Sequence, residues 1–112
     1  MKQVILDTSF ILSCVRQKID FFEIIENKGL EILIPEQTIK ELKGLNANLA
    51  LKIIEGNEFN HVNVPGKDAD AAIIKFSEKY PEVIVATLDR ALQKKVKSHK
   101  MVIRGKKKIE VI

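Results

Sequence analysis

Val4–Leu6, Leu30–Ile34 and Val83–Ala86 are short runs of mostly aliphatic, often β-branched residues, and a stretch with helical spacing follows each of them. Runs this short and this apolar read as buried strands, and what they alternate with limits the architecture sharply. Strands alternating with helices favour a mostly parallel sheet with helices packed on both faces. The expectation is an α/β chain built as a three-layer α/β/α sandwich. With 112 residues, 46% of them apolar, there is material for one layered core and too little for two ordinary domains. Residues 1–112 are therefore read as one domain.

Asp7-Thr8-Ser9 is a plausible helix entry, since all three side chains can accept from free helical N–H groups, and helical periodicity runs on through Phe10–Val15. Ile19, Phe22 and Ile25 mark a second helix, which Asn27-Lys28-Gly29 closes. Pro35 suits the first position of a third, where its missing N–H matters least, with Ile39, Leu42 and Leu45 on the apolar face. Asn46–Ile54 reads as a further helix with Leu49, Ala50 and Ile53 inward, and Phe59–Val64 as a short strand or extended loop. After the break at Pro65-Gly66, Asp68 caps a helix whose stripe is Ala69, Ala72, Ile73 and Phe76. Leu88, Leu92 and Val96 suit a last helix, and Met101–Ile103 and Ile109–Ile112 suit terminal strands joined through Arg104-Gly105-Lys106.

Acidic residues stand in telling places along this frame. Asp7 and Asp89 each follow a β-rich run and precede a helical pattern. In a parallel sheet that puts both at the carboxyl edge of the strands, where ligand crevices form. Glu41 lies within the Pro35-led helix and Asp70 in the first turn of the helix after Asp68. Each has an ordinary structural reading: Asp7 and Asp89 as helix N-caps, Glu41 as a solvated helical acid, Asp70 as an anion favoured by the helix dipole. Asp68 competes with Asp70, and the reading takes Asp68 as the cap and Asp70 as the ligand. Together the four would repel one another unless a cation neutralised them. A hard divalent ion such as Mg2+ or Mn2+, which prefers oxygen ligands and keeps waters, is the natural candidate.

The charge distribution adds a partner. Residues 1–89 hold 10 Lys/Arg against 14 Asp/Glu, and residues 90–112 hold nine against one. An acidic body beside a basic C-terminal segment suits a polyanion such as RNA held over a metal centre, although a solvated lysine-rich surface has the same composition. Cys14 is the only cysteine, which excludes an intrachain disulfide and a multi-cysteine zinc site, and its apolar neighbours make it a core residue. His61 and His99 stand far apart with no Cys or His beside them. No apolar run approaches the roughly 18–20 residues that span a bilayer, and Asp7 interrupts any signal-peptide pattern at the start. A soluble, cytoplasmic chain with no membrane partner is expected.

The ordered set VILDTS, IPEQTIKEL, DADAAI and ATLDRAL, in a match running from Val4 to Ile112, resembles the PIN-domain ribonucleases. Within that family it is similar to small archaeal proteins of the ribosomal-RNA-processing branch and, secondly, to VapC-type toxins. The ending, a basic helix and then MVIRGKKKIEVI, looks more like the processing branch. The resemblance implies a PIN sandwich with Asp7, Glu41, Asp70 and Asp89 lining one acidic pocket as catalytic and Mg2+- or Mn2+-binding residues. Thr8, Ser9 and Thr87 match the family's hydroxyl positions, which orient carboxylates by hydrogen bonding. One departure is plain: many members carry a further acid or Asn after the fourth Asp, whereas Arg90, Ala91 and Leu92 follow here. That weakens the case for a second metal site and implies low activity or a need for Mn2+.

The implied chemistry is metal-assisted hydrolysis of an RNA phosphodiester, leaving 5′-phosphate and 3′-hydroxyl ends. Asp7 and Asp89 are the main ligands, Asp70 completes the set, and Glu41 binds through water or accepts a proton. Arg90, Lys94, Lys95, Lys97, Lys106, Lys107 and Lys108 are expected to hold flanking phosphates, with Arg90, Lys94 and Lys97 sharing a helical face. One Tyr and no Trp leave little for base stacking. Three rivals remain. A non-catalytic RNA-binding scaffold of the same shape differs in binding no divalent ion at the four carboxylates. A toxin differs in needing a cognate antitoxin. A phospho-acceptor receiver fares worse, because it needs an early acid pair and Asp7 is followed by Thr8 and Ser9. Homodimerisation through the helix around Phe21-Phe22 competes with a core role for the same residues.

Overall fold

The computed structural model describes residues 2–112. Its strands are β1 (Gln3–Leu6), β2 (Glu31–Pro35), β3 (Asn60–Val62), β4 (Ile84–Ala86), β5 (Lys100–Arg104) and β6 (Lys108–Val111). They form one six-stranded sheet in the order β3-β2-β1-β4-β5-β6, parallel except for the antiparallel β5–β6 pair. The helices are α1 (Thr8–Arg16), α2 (Phe21–Asn27), α3 (Glu36–Gly44), α4 (Asn48–Glu55), α5 (Ala69–Lys79) and α6 (Arg90–Lys95).

Alternation along the central strand explains the layers. Successive side chains of a strand point to opposite faces. Val4 and Leu6 accordingly enter a core shared with Phe10, Cys14, Phe22, Leu42 and Ile54 of α1–α4, while Ile5 enters a second core with Leu33, Ile73, Val85 and Leu92, where α5 and α6 pack. The sheet is thus covered on both faces, as its unbroken apolar runs require. Burial pushes the Cys14 thiol up to about 12, which leaves it a core residue without thiolate reactivity. No helix is long and apolar enough to cross a membrane among the described residues.

Several local expectations shift. Pro35 is not the first helical residue: it is extended (φ −64, ψ 147), pairs with Val62 in the sheet and serves as the N-cap of α3. Leu45 falls just past the end of α3 and is 60% exposed. Because α4 begins at Asn48, its inward residues are Ala50 and Ile54, while Leu49 is exposed and Ile53 half-buried. Phe76 is half-buried, and Ser77 takes its place on the inner face of α5. Phe21 and Phe22 are 1% exposed. They stack on each other with ring centroids 4.9 Å apart, so they are core and offer no dimer surface.

The fold places one edge of the sheet at the centre of attention. Moving from β1, the chain builds β2 and β3 on one side and then crosses to β4 and β5 on the other. This reversal between β1 and β4 is a topological switch point, where a crevice opens beyond the carboxyl ends of the strands.

Candidate functional site

Asp7 leaves the end of β1 directly at that switch point. Its backbone N–H donates to Ala86 O of β4 at 2.9 Å, continuing the ladder one step past both strands. The side chain is 3% exposed and makes no capping hydrogen bond, although Asp7 is the N-cap residue of α1. Instead Asp7 Oδ2 accepts from Thr87 Oγ1 at 2.7 Å and from Ser9 Oγ at 2.9 Å. The anticipated helix entry, with all three side chains accepting from backbone, is therefore replaced. A hydroxyl's hydrogen bond to a carboxylate is charge-assisted and stronger than one between neutral groups, so Thr8 and Ser9 donate to acids.

The hydroxyls knit two strand ends together. Ser9 Oγ lies 3.2 Å from Thr87 Oγ1 and accepts from Leu88 N at 3.1 Å. Thr87, fully buried, accepts from Asp89 N at 3.1 Å. Asp89 caps α6, its Oδ1 accepting from Ala91 N at 2.9 Å and Leu92 N at 3.3 Å. The cap and ligand readings are compatible, because one oxygen serves the helix and Oδ2 has no protein partner among the described residues.

A second group arrives from the other side of the switch point. Glu41 is no solvated helical acid: its Oε1 accepts from Thr8 Oγ1 at 2.6 Å and its Oε2 from Ala69 N, the first residue of α5, at 2.8 Å. One turn earlier on α3, Gln37 donates from Nε2 to Val64 O at 2.7 Å and Gly66 O at 3.0 Å. Together they clasp the 63–68 loop and the start of α5. Gly66 is needed there, since a Cβ on it would come within 2.8 Å of Ala72 N. Asp68 caps α5 through Ala71 N at 2.9 Å, as expected, which frees Asp70 in the first turn. Gln37 was missed by sequence reasoning, because a polar residue near a helix start is unremarkable until its carbonyl partners are known.

Electrostatics joins the two groups. The Asp70 carboxyl is pushed up to about 6, first by burial and then by the charges of Asp7, Asp89, Asp68 and Glu41. These acids therefore share one field. Among the described residues, however, no three acidic, His or Cys side chains converge tightly enough to grip one ion directly. The donors are all carboxylate oxygens, and Mg2+ typically takes only one or two carboxylates, completing its shell with water and substrate phosphate. Oxygen donors of this kind suit such an ion in chemistry, and both oxygens of Glu41 are already engaged in the clasp. Two hollows of about 680 Å3 each, which share His61 of β3 in their lining, contain none of Asp7, Glu41, Asp70 and Asp89.

The basic residues divide. Arg90, Lys94 and Lys95 are exposed on α6. Lys97 is not on a face with them: α6 ends at Lys95 and Val96 is extended (ψ 140), its side chain buried in the second core. Lys106, Lys107 and Lys108 are exposed at the turn joining β5 to β6.

Residues 4–108 match the family model described as "PIN like domain". The chain is 30% identical to "Ribonuclease VapC4" of Methanocaldococcus jannaschii, over 99% of this chain and 97% of that protein. It is also 30% identical to "rRNA-processing protein fcf1" of Schizosaccharomyces pombe, over 84% of this chain but only 53% of that protein, so it spans about half the fungal relative. Among solved structures, the PIN domain endonuclease Utp24 superposes with a TM-score of 0.85 at 28% identity, covering 97% of this chain and 90% of the other.

Proposed function

Because the chain belongs to the family of PIN-like domains, which are generally nucleases, we propose that it is a divalent-metal-dependent ribonuclease that hydrolyses RNA phosphodiester bonds. What supports this most is the arrangement at the β1/β4 switch point: Asp7 oriented by two hydroxyls, with Asp70 in the field of Asp7, Asp89 and Glu41. Asp7, Asp70 and Asp89 would hold Mg2+ or Mn2+. The ion, when bound, supplies a nucleophile at neutral pH and offsets charge on the leaving oxygen.

The chain's own residues set up that reaction. Thr87 and Ser9 fix Asp7 in one rotamer, so little reorganisation is left for the reacting state. Asp89 uses one oxygen as helix cap, which holds the other in place. Glu41 and Thr8 tie the α1 start to the α5 start, which limits how far Asp70 can shift relative to Asp7. Arg90, Lys94, Lys95, Lys97 and Lys106–Lys108 attract the flanking phosphates that the acids repel.

The finer reading is RNA processing, supported by likeness to one protein named for rRNA processing and to a PIN endonuclease structure. A toxin with an antitoxin partner is supported by likeness to the VapC4 ribonuclease over nearly its full length. Growth arrest on expression, relieved by Asp7→Asn, would favour the toxin, and unhindered growth the processing factor. The enzyme itself is tested by incubating end-labelled RNA with Mn2+ or Mg2+, beside EDTA and an Asp7→Asn, Asp89→Asn variant. Metal-dependent cleavage that disappears in the variant supports the ribonuclease. Metal-independent RNA binding without cleavage by folded wild-type protein favours the scaffold reading instead, consistent with the loose carboxylate geometry.

A further inference from the structure

The sheet does not end level across its carboxyl edge. Leu6 pairs with Ala86, and Ala86 with Met101, so these three residues stand at one height on β1, β4 and β5. There β1 and β4 stop, but β5 continues through Val102, Ile103 and Arg104 before turning into β6. At about 3.3 Å per residue, Arg104 stands about 10 Å beyond the level of Leu6 and Ala86, and the turn higher still. The β5–β6 hairpin is therefore an upright beside the acids, about 4.8 Å from β4 and about 10 Å from β1 measured across the strands.

This upright is rooted and highly charged. Met101, Val102 and Ile109 are buried at its base, and its pairing runs without interruption from Met101↔Val111 to Arg104↔Lys108. Gly105 and Lys107 take positive φ (56 and 62), which closes the turn tightly and leaves Arg104, Lys106, Lys107 and Lys108 exposed around it. The nearby acid, Glu110, lies 3.6 Å from Arg104 Nε. The opposite flank of the site is different: the 63–68 loop carries Lys67 beside Asp68, and Glu36 faces His61 at 3.8 Å. The turn itself carries no aromatic side chain, and Tyr80 sits at the far end of α5. A grip made of ammonium and guanidinium groups alone reads phosphates and not bases.

We propose that the β5–β6 hairpin is a phosphate-gripping arm that holds one flank of an RNA substrate, independently of its sequence, at a set distance from the cut. At about 3.4 Å of rise per nucleotide along one helical strand, the arm meets phosphates a few nucleotides from the acids rather than the phosphate being cut. The substrate thus needs a continuous flank on the arm side of the cut, and trimming the opposite flank costs less. This rests on the ribonuclease reading for its cleavage arm only.

The test compares wild type with a Lys106→Gln, Lys107→Gln, Lys108→Gln variant and with a control of equal charge change, Lys28→Gln, Lys52→Gln, Lys79→Gln. Melting temperatures establish that all three are folded. Fluorescence anisotropy with a labelled 12-nucleotide RNA in EDTA, over a range of salt, should show the arm variant at least about tenfold weaker. Its salt slope should be shallower by about two, as expected for losing three phosphate contacts, while the control stays near wild type. In Mn2+, nested substrates trimmed from either end should raise the wild-type KM sharply once one particular flank falls below about three nucleotides. The arm variant should have a raised KM that is indifferent to that trimming. An arm variant that matches wild type in affinity and salt slope, or a control that weakens equally, overturns the proposal. Folded wild type that binds through the hairpin and cuts nothing upholds the arm and removes the ribonuclease reading. Cleavage equally sensitive to trimming in both proteins does the reverse.

Discussion

Asp7 and Asp70 reach the same carboxyl edge and are held in opposite ways. Asp7 grows out of a central strand, is 3% exposed, and has two hydroxyls locked onto one oxygen. Asp70 rides on the first turn of α5, is half-buried, and takes its charge environment from its neighbours rather than from hydrogen-bond donors. Its position depends on a loop, and that loop depends on Gln37, Gly66 and Glu41. The difference teaches that the strand-end half of the site is preorganised by the sheet, while the α5 half is held by a clasp from α3. The first should fail chemically when altered and the second mechanically.

The largest expected effect is on the rigid half. Asp7→Asn keeps the shape but gives up a carboxylate, and cleavage should fall by more than the roughly 10–100-fold typical of losing an outer partner of a metal site. Single-turnover assays in Mn2+ check this, and a milder loss would mean that Asp7 is not the principal holder. Next comes Gly66→Ala, which forces the loop away from Ala72 and should cost about 1–3 kcal/mol of stability by overpacking. Chemical denaturation reads that directly, and Mn2+ affinity should fall with it because Asp70 moves.

Gln37→Leu should cost about 1–2 kcal/mol, since Val64 O and Gly66 O lose their donor. Its sharper readout is Mn2+ affinity in a thermal-shift titration, expected to weaken roughly tenfold as for other supporting residues. Equal affinity in the variant would show that α5 stands without the clasp. The smallest effect is electrostatic. The Asp70 carboxyl ordinarily titrates near 3.8 and in the fold near 6, so between those values the folded protein holds the extra proton. Stability of the metal-free protein should therefore fall as pH rises through that window and level off above it. Each pH unit of displacement corresponds to about 1.4 kcal/mol, and solvent screening of a half-buried group trims the total to about 1 kcal/mol. Asp70→Asn should remove this pH dependence, raise metal-free stability at pH 7 by about that amount, and lose the stabilisation that Mn2+ confers on wild type.

The clasp also shows which features were legible in the chain. The strands after which Asp7 and Asp89 appear are apolar at nearly every position, so their burial and the strand-end placement of the acids could be read directly. Asp68 as cap and Asp70 beyond it also followed from local chemistry. Gln37 did not, because its partners lie 27 and 29 residues away. Periodicity alone places Leu45 and Leu49 inward, yet the chain leaves the helix between them and sets the inward face of α4 at Ala50 and Ile54. The helical face shared by Lys97 with Arg90 and Lys94 is lost for the same reason at the end of α6, where Val96 turns extended to bury its side chain.

By itself the sequence determined the layered α/β architecture and the order of the acids, because strand burial and helix periodicity are local patterns that side-chain hydrophobicity imposes. The tertiary structure alone decided which oxygens are engaged and which are free. It turned Thr8, Ser9 and Thr87 into donors to carboxylates, committed Glu41 to Ala69, and carried the basic turn past the ends of β1 and β4. Those outcomes depend on distances between residues far apart in the chain, and electrostatic and hydrogen-bond energies are steep functions of such distances.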